Sequence, residues 1–225
     1  MNIALIAAAG SGTRVAGDRP KQFLQLAGIP IVIHTLKAFE QCDSIQEIIV
    51  ILPSDASAEF LDSVGRYGLR KVAKVVPGGV TRAESVKRGL MAIRAATAEI
   101  VAVHDGVRPF VTTEEITDTV NAAAEYEAAI LVSKATDTIK QVRGNSVVKT
   151  FERSELRHAL TPQCFRYELL RRAYEQVDVA DPSLTDDSAL VEKLGVKVAV
   201  VEGSSRNIKI TTPEDLLLAE ALIRG

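Results

Sequence analysis

Two basic residues follow a glycine-rich turn near the start of the chain. The stretch Ala8-Ala9-Gly10-Ser11-Gly12-Thr13-Arg14 runs on to Pro20-Lys21-Gln22-Phe23. Glycines lack Cβ, so backbone amides can approach phosphate oxygens closely. Arg14 and Lys21 add fixed positive charge. The pattern is not a dinucleotide fingerprint, because Val15 stands at the third glycine position. It is not a Walker A loop either, because no Gly-Lys-Ser/Thr follows. A lone Gly-x-Gly reads as an ordinary turn from strand to helix. The two nearby cations point instead to an anion site.

A second place is Val103-His104-Asp105-Gly106-Val107-Arg108-Pro109. An aspartate there can ligate Mg²⁺ or accept from a sugar hydroxyl, and Arg108 can grip a phosphate through two donors. The plainer reading is a capping Asp with a local Asp-Arg pair, worth ~0.2–1 kcal/mol if exposed. Spacing alone does not separate the two. His104 reads as a packed or tautomer-locked histidine. Lys209, in Asn207-Ile208-Lys209-Ile210-Thr211-Thr212-Pro213, precedes a capped helix. It reaches a cleft or remains a surface lysine, and on spacing alone the surface is the reading to hold. The adjacent acids of Thr185-Asp186-Asp187 read as a helix start with Thr185 as the cap.

These residues need elements to position them. Apolar runs of strand length fall at Ile3–Ala9, Ile45–Leu52, Lys71–Val76, Glu99–His104, Ala128–Ser133 and Lys197–Val201. Most are near-continuous Val, Ile, Leu and Ala, as for strands covered on both faces. Amphipathic stretches alternate with them at Pro30–Cys42, Ser57–Tyr67, Thr81–Ala95, Thr113–Glu127, Arg166–Val177, Ser188–Leu194 and Pro213–Arg224. Capping-box patterns open two of these, Thr81 to Glu84 and Thr112 to Glu115. Such alternation predicts a three-layer α/β/α, Rossmann-like domain with a mostly parallel sheet. Ligands of open α/β sheets sit beyond the carboxyl ends of the strands, where the residues above fall. About 137–153 the rhythm breaks into a polar hairpin around Gly144-Asn145, too poor in apolar residues for its own core. It is expected to project as an arm and pack on a second subunit.

Composition narrows the class. The 225 residues are 47% hydrophobic and 25% charged, with a formal net charge of -2. That suits one domain over residues 1–225 and argues against a disordered chain. It leaves no whole-chain electrostatic case for nucleic acid or membrane. The apolar start is too short to span a bilayer. Cys42 and Cys164 are too few for a disulfide framework, so a reducing, cytoplasmic setting is expected.

Taken in order, six stretches resemble one family. They are the Ala8–Phe23 region, His104-Asp105-Gly106-Val107-Arg108-Pro109-Phe110, Asp137-Thr138-Ile139-Lys140, Leu160-Thr161-Pro162-Gln163, Thr185-Asp186-Asp187 and Asn207 to Asp215. Together they look like the 2-C-methyl-D-erythritol 4-phosphate cytidylyltransferases. The resemblance implies a dimeric nucleotidyltransferase with a β-arm. It would make 4-CDP-2-C-methyl-D-erythritol and pyrophosphate from CTP and 2-C-methyl-D-erythritol 4-phosphate, a step of the non-mevalonate isoprenoid route. It gives catalytic roles to Arg14, Lys21, Arg153 and Lys209. Ala8, Ala9, Gly10, Ser11, Gly12, Gly78, Gly79 and Ser85 would contact the nucleotide. Asp105, Arg108, Thr138 and Thr161 would contact the acceptor. Mg²⁺ would arrive on the CTP phosphates, with no protein ligand named. The chain departs from the family at Gly106-Val107, where many members have two alanines, at Val80, where an acid is frequent, and at Glu152, where an aspartate is frequent before the arginine. A ribitol-5-phosphate cytidylyltransferase, a sugar-1-phosphate nucleotidyltransferase and a CTP-binding module without turnover are the competing expectations.

Overall fold

A computed structural model of the chain describes residues 1–10, 20–179, 181 and 184–224. The strands are β1 (Asn2–Ala7), β2 (Gln25–Leu26), β3 (Ile29–Pro30), β4 (Glu47–Leu52), β5 (Val72–Pro77), β6 (Ile100–Asp105), β7 (Ala128–Lys134), β8 (Lys140–Arg143), β9 (Ser146–Thr150), β10 (Arg157–Arg166) and β11 (Ala199–Glu202). The helices are α1 (Ile31–Gln41), α2 (Ser57–Arg66), α3 (Arg82–Met91), α4 (Thr113–Tyr126), α5 (Tyr167–Gln176), α6 (Asp187–Glu192) and α7 (Pro213–Arg224).

Seven strands form one sheet in the order β11-β7-β10-β6-β1-β4-β5. Every pairing in it is parallel except those of β10, which runs antiparallel to both β6 and β7. The side-chain period of a strand is two, so neighbours along β1 feed opposite layers. Ala4 and Ile6 pack with Val32, Leu36 and Phe39 of α1 and Ile116 and Val120 of α4. Ile3 and Leu5 pack with Val86 and Leu90 of α3 and Leu169 and Leu170 of α5. Full burial of such a side chain is worth roughly 1.5–3 kcal/mol. The apolar layers therefore fix where the strand ends lie.

Both capping boxes form, at Thr81–Glu84 and Thr112–Glu115. The cap of α6 differs from expectation. Asp186, not Thr185, accepts from the Ala189 N–H. A carboxylate with extended backbone at that position is as good a cap as a hydroxyl. A third apolar cluster ties α7 to the rest, with Leu26, Ile31, Val107, Ile210 and Ala219 at its centre. The hairpin β8–β9 is a separate two-stranded sheet, turned at Gly144 with φ +56°. Its strand residues are all exposed.

Candidate active site

The carboxyl ends of β1, β5 and β6 converge on one cleft of about 400 Å³. Ala8, Ala9 and Gly10 follow β1 along its wall. Gly79, Val80, Thr81 and Ser85 form the side after β5. Close backbone approach requires glycine at two places. A Cβ on Gly78 would stand 2.1 Å from the Ala9 Cβ. One on Gly106 would stand 2.7 Å from the Ala8 Cβ. The turn after β5 is braced from α3. Ser85 Oγ accepts from the Gly79 N–H at 3.0 Å, and Glu84 Oε2 accepts from the Val80 N–H at 2.7 Å. The Val80 side chain is 96% exposed, so this family position contributes its backbone to the turn.

A second cavity of about 240 Å³ adjoins the first. Arg108, Thr161 and Gln163 line it, while Arg82, Asp105 and Lys209 line both cavities. These three shared residues form the wall between them. Asp105 is its hub. Oδ1 accepts from Arg82 Nε at 3.1 Å, and Oδ2 lies 2.9 Å from Lys209 Nζ and 3.5 Å from Arg108 Nε. Burial alone would raise the pKa of this carboxyl. The charges of Arg82 and Lys209 outweigh it and hold the group well below the usual carboxylate range. Burial likewise pulls Arg108 down against the pull of Asp105. Counting Asp187, which pairs with Arg82 at 2.8 Å, the four cations Lys21, Arg82, Arg108 and Lys209 face the three carboxylates Asp105, Asp186 and Asp187 among the described residues. The surplus is positive, as an anion site needs.

The backbone around Asp105 is fixed by a short chain of hydrogen bonds. The Asp105 N–H donates to Thr161 Oγ1 at 3.2 Å. That hydroxyl pairs with His104 Nδ1 at 3.0 Å, and His104 Nε2 pairs with the Arg108 carbonyl at 3.2 Å. A carbonyl only accepts, so Nε2 carries the hydrogen and Nδ1 takes the threonine proton. Burial pushes His104 down to about 4, so it stays neutral. It is the tautomer-locked histidine its sequence context suggests. Lys209 is carried by its neighbour. Ile210 is wholly buried, and its N–H donates to the Val107 carbonyl at 2.9 Å.

The expected site residues thus divide. Ala8, Ala9, Gly10, Lys21, Gly79, Ser85, Asp105, Arg108, Thr161 and Lys209 line the paired cavities, and Gly78 backs Ala9. Ser11, Gly12 and Arg14 lie outside the described residues. Thr138 and Arg153 stand on the exposed arm, where Arg153 Nη1 donates to the Thr136 carbonyl at 2.9 Å, and neither lines these cavities. Arg82, Gln163 and Asp187 receive no site role from the sequence, although Gln163 and Asp187 fall in stretches that carry the family resemblance. The signal for Arg82 was its place directly after a capping residue that follows the Gly78-Gly79 turn.

An open α/β sheet with a glycine-walled, cationic cleft beyond its carboxyl ends defines a nucleotide-handling enzyme of the nucleotidyltransferase class. Comparison with known proteins narrows this. The IspD family model, described as 2-C-methyl-D-erythritol 4-phosphate cytidylyltransferase, matches residues 2–225. A protein of that name from Pelotomaculum thermopropionicum is 44% identical over 224 residues, 99% of this chain and 94% of that one. One from Geobacillus kaustophilus is 42% identical over 98% of this chain and 96% of its own. The crystal structure of 4-diphosphocytidyl-2C-methyl-D-erythritol synthase from Anaerococcus prevotii superposes with a TM-score of 0.88 at 33% identity, covering 100% of this chain and 96% of that one. The chain belongs to the 2-C-methyl-D-erythritol 4-phosphate cytidylyltransferase family. It is a nucleotidyltransferase.

Proposed function

We propose that the larger cavity takes CTP, the smaller takes 2-C-methyl-D-erythritol 4-phosphate, and the reaction runs across the wall they share. An oxygen of the acceptor phosphate attacks the α-phosphorus of CTP. A new P–O bond forms, the bond to the β-phosphate oxygen breaks, and pyrophosphate leaves. The product is 4-CDP-2-C-methyl-D-erythritol, an isoprenoid precursor. The observation that carries this reading is the shared wall of Arg82, Asp105 and Lys209.

The second pKa of a phosphate monoester is about 6, so the nucleophile is largely a dianion at pH 7. It needs no general base, which agrees with a neutral, buried His104. The difficulty is the approach of a dianion to a triphosphate. Arg14, Lys21 and the amides near Gly10 counter that charge, most strongly as it builds at the α-phosphate. Lys209, Arg108 and Arg153 hold the acceptor in line. Thr161 shapes the acceptor pocket through His104 and Asp105, and Thr138 and Arg153 reach it from the arm of a second subunit. That last assignment makes the working form a homodimer.

Asp105 is the one carboxylate lining the larger cavity among the described residues, and Arg82, Lys209 and Arg108 already occupy its oxygens. This donor set suits an Mg²⁺ that travels on the CTP phosphates, as Mg²⁺ does in many nucleotide sites. When bound, it neutralises phosphate charge. Among the described residues no helix is long and apolar enough to cross a membrane. With two buried, unbridged cysteines, a cytoplasmic enzyme is the reading we favour.

The test is pyrophosphate release from CTP and Mg²⁺ with either 2-C-methyl-D-erythritol 4-phosphate or D-ribitol 5-phosphate. Release with the erythritol phosphate alone is expected. Release with the ribitol phosphate alone overturns the acceptor assignment, and CTP binding without release points to a sensing module.

A further inference from the structure

Behind the shared wall sits a carboxylate with no contact to either of the two larger cavities. Asp187, the first residue of α6, is 1% exposed. Its Oδ2 accepts from Arg82 Nη1 at 2.8 Å, and its Oδ1 accepts from the Tyr174 hydroxyl at 2.5 Å. Its N–H donates to Gln163 Oε1 at 3.1 Å, and the same oxygen takes the Ser188 N–H at 3.0 Å. Two elements therefore fix this one side chain, α3 through Arg82 and α5 through Tyr174, while β10 holds its backbone through Gln163. An acid in the first turn of a helix is favoured by the helix dipole alone. That account does not explain the burial, the tyrosine or the arginine, and Asp186 already caps the helix.

The chemistry of the guanidinium supplies the rest. Its donors form a rigid planar fork, so fixing one nitrogen sets the direction of the others. With Nη1 on Asp187, Nε faces Asp105 Oδ1 at 3.1 Å. Asp105 Oδ2 is then left to Lys209 and Arg108. Without the first anchor, Arg82 would turn toward whichever anion in the cleft is strongest, and a bound phosphate outcompetes a single carboxylate. Asp105 would lose a partner, and Lys209 would be drawn more tightly onto it and away from the reacting phosphate.

We propose that Asp187, held by Tyr174, is a positioning residue for the transfer reaction, tethering one end of Arg82 so that its other end holds Asp105 between the two cavities. The inference rests on the reading of this cleft as the site of cytidylyl transfer. It concerns the order of charges along the wall rather than their sum.

Steady-state kinetics of the full chain test it, with CTP and 2-C-methyl-D-erythritol 4-phosphate varied in turn. Asp187→Asn is expected to lower kcat about 10-fold while the KM for CTP stays within about twofold. Tyr174→Phe, which keeps the carboxylate, should give a milder loss of about threefold in the same parameter. In an Arg82→Gln background, Asp187→Asn should add no further loss, because the tether then has nothing to hold. A merely structural role predicts a lower melting temperature with kcat per folded enzyme unchanged, and that result overturns the proposal. So does a full Asp187→Asn loss in the Arg82→Gln background. Should Asp187→Asn fail to fold, Tyr174→Phe decides, and wild-type kinetics there overturn the tether. If the unmodified chain releases no pyrophosphate, the functional reading falls first and the tether falls with it.

Discussion

Lys209 Nζ lies 2.9 Å from Asp105 Oδ2, across the line where the two cavities meet. The two residues are far apart in sequence, one at the tip of β6 and the other held by Ile210 against Val107. Asp105 is the only lining carboxylate among the described residues of the larger cavity, and it separates three cations. Asp105→Asn is therefore expected to leave Arg82, Arg108 and Lys209 mutually repelling. Removing one partner of a buried ion pair costs about 3–5 kcal/mol. A melting curve should show the loss of stability. Kinetics should show acceptor kcat/KM falling by about 100-fold with CTP binding retained. Unchanged acceptor use would mean that Asp105 is a purely structural counter-ion.

Lys21 lines the larger cavity, close to the turn after β1. A charge that meets the transition state more strongly than the ground state affects kcat first. Lys21→Ala should lower kcat by about 100-fold or more and raise either KM by much less. A rise in the KM for CTP with unchanged turnover would reassign Lys21 to simple nucleotide binding.

The arm prediction separates the subunits. Arg153 lines neither of the two cavities of the site in its own chain. Arg153→Ala should weaken acceptor use and spare CTP affinity, measured by calorimetry. Under the proposed dimer, mixing Arg153→Ala with Lys209→Ala chains should restore part of the activity, because a mixed pair of subunits then has one intact site. No recovery on mixing, with exchange of subunits demonstrated, would mean that Arg153 serves its own subunit or none.

His104 makes stability depend on pH in a defined window. Unfolded, it titrates near 6.5. Folded, burial holds it at about 4. As pH falls from 6.5 toward 4, the unfolded chain takes up a proton that the folded chain refuses. Stability is present above that window and is lost through it, by about 3 kcal/mol in all. His34 is lowered by burial in the same sense. The Asp105 contribution disappears only at lower pH, below the ordinary carboxylate range. Urea midpoints for wild type and His104→Asn at pH 7.5 and pH 5 check the assignment. Asn keeps an acceptor for Thr161, starts less stable and should show a flatter fall with pH. An equal fall in both proteins would place the titrating group elsewhere.

The sheet was legible because its parallel strands are continuous apolar runs, as in Ile48-Ile49-Val50-Ile51 of β4. The strand β10 was not. Thr161, Pro162 and Gln163 interrupt it, and a proline inside such a stretch argues against a central strand. The structure accommodates them in an irregularity between Ala159 and Gln163, where the pairing with β7 shifts. The tiny β2–β3 pair was equally hidden, at two residues a side. The glycine turn and the Asp105–Arg108 pair stood out by their position at strand ends, although spacing alone left the role of the pair open. Lys209 was legible only through the family resemblance and not from spacing, since its reach depends on Ile210 being buried against Val107. Arg82 and Asp187 lie 105 residues apart in sequence, and nothing in either local pattern pairs them. The two acids at Asp186 and Asp187 carry one helix-start signature yet perform different tasks.

The irregularity in β10 divides that strand into two mechanical parts. Before it, residues 157–159 are laddered on β7 alone. After it, residues 163–165 are laddered on both β6 and β7, and Arg166 on β6. On its C-terminal side the arm is thus attached to the sheet through the more weakly anchored half of β10, and a bulge absorbs bending locally. Tilting the arm strains Leu160 and Thr161 before it disturbs Cys164 or Phe165. Leu160 and Thr161 line the smaller cavity, so a displacement of the hairpin reaches that cavity before it reaches the rest of the sheet.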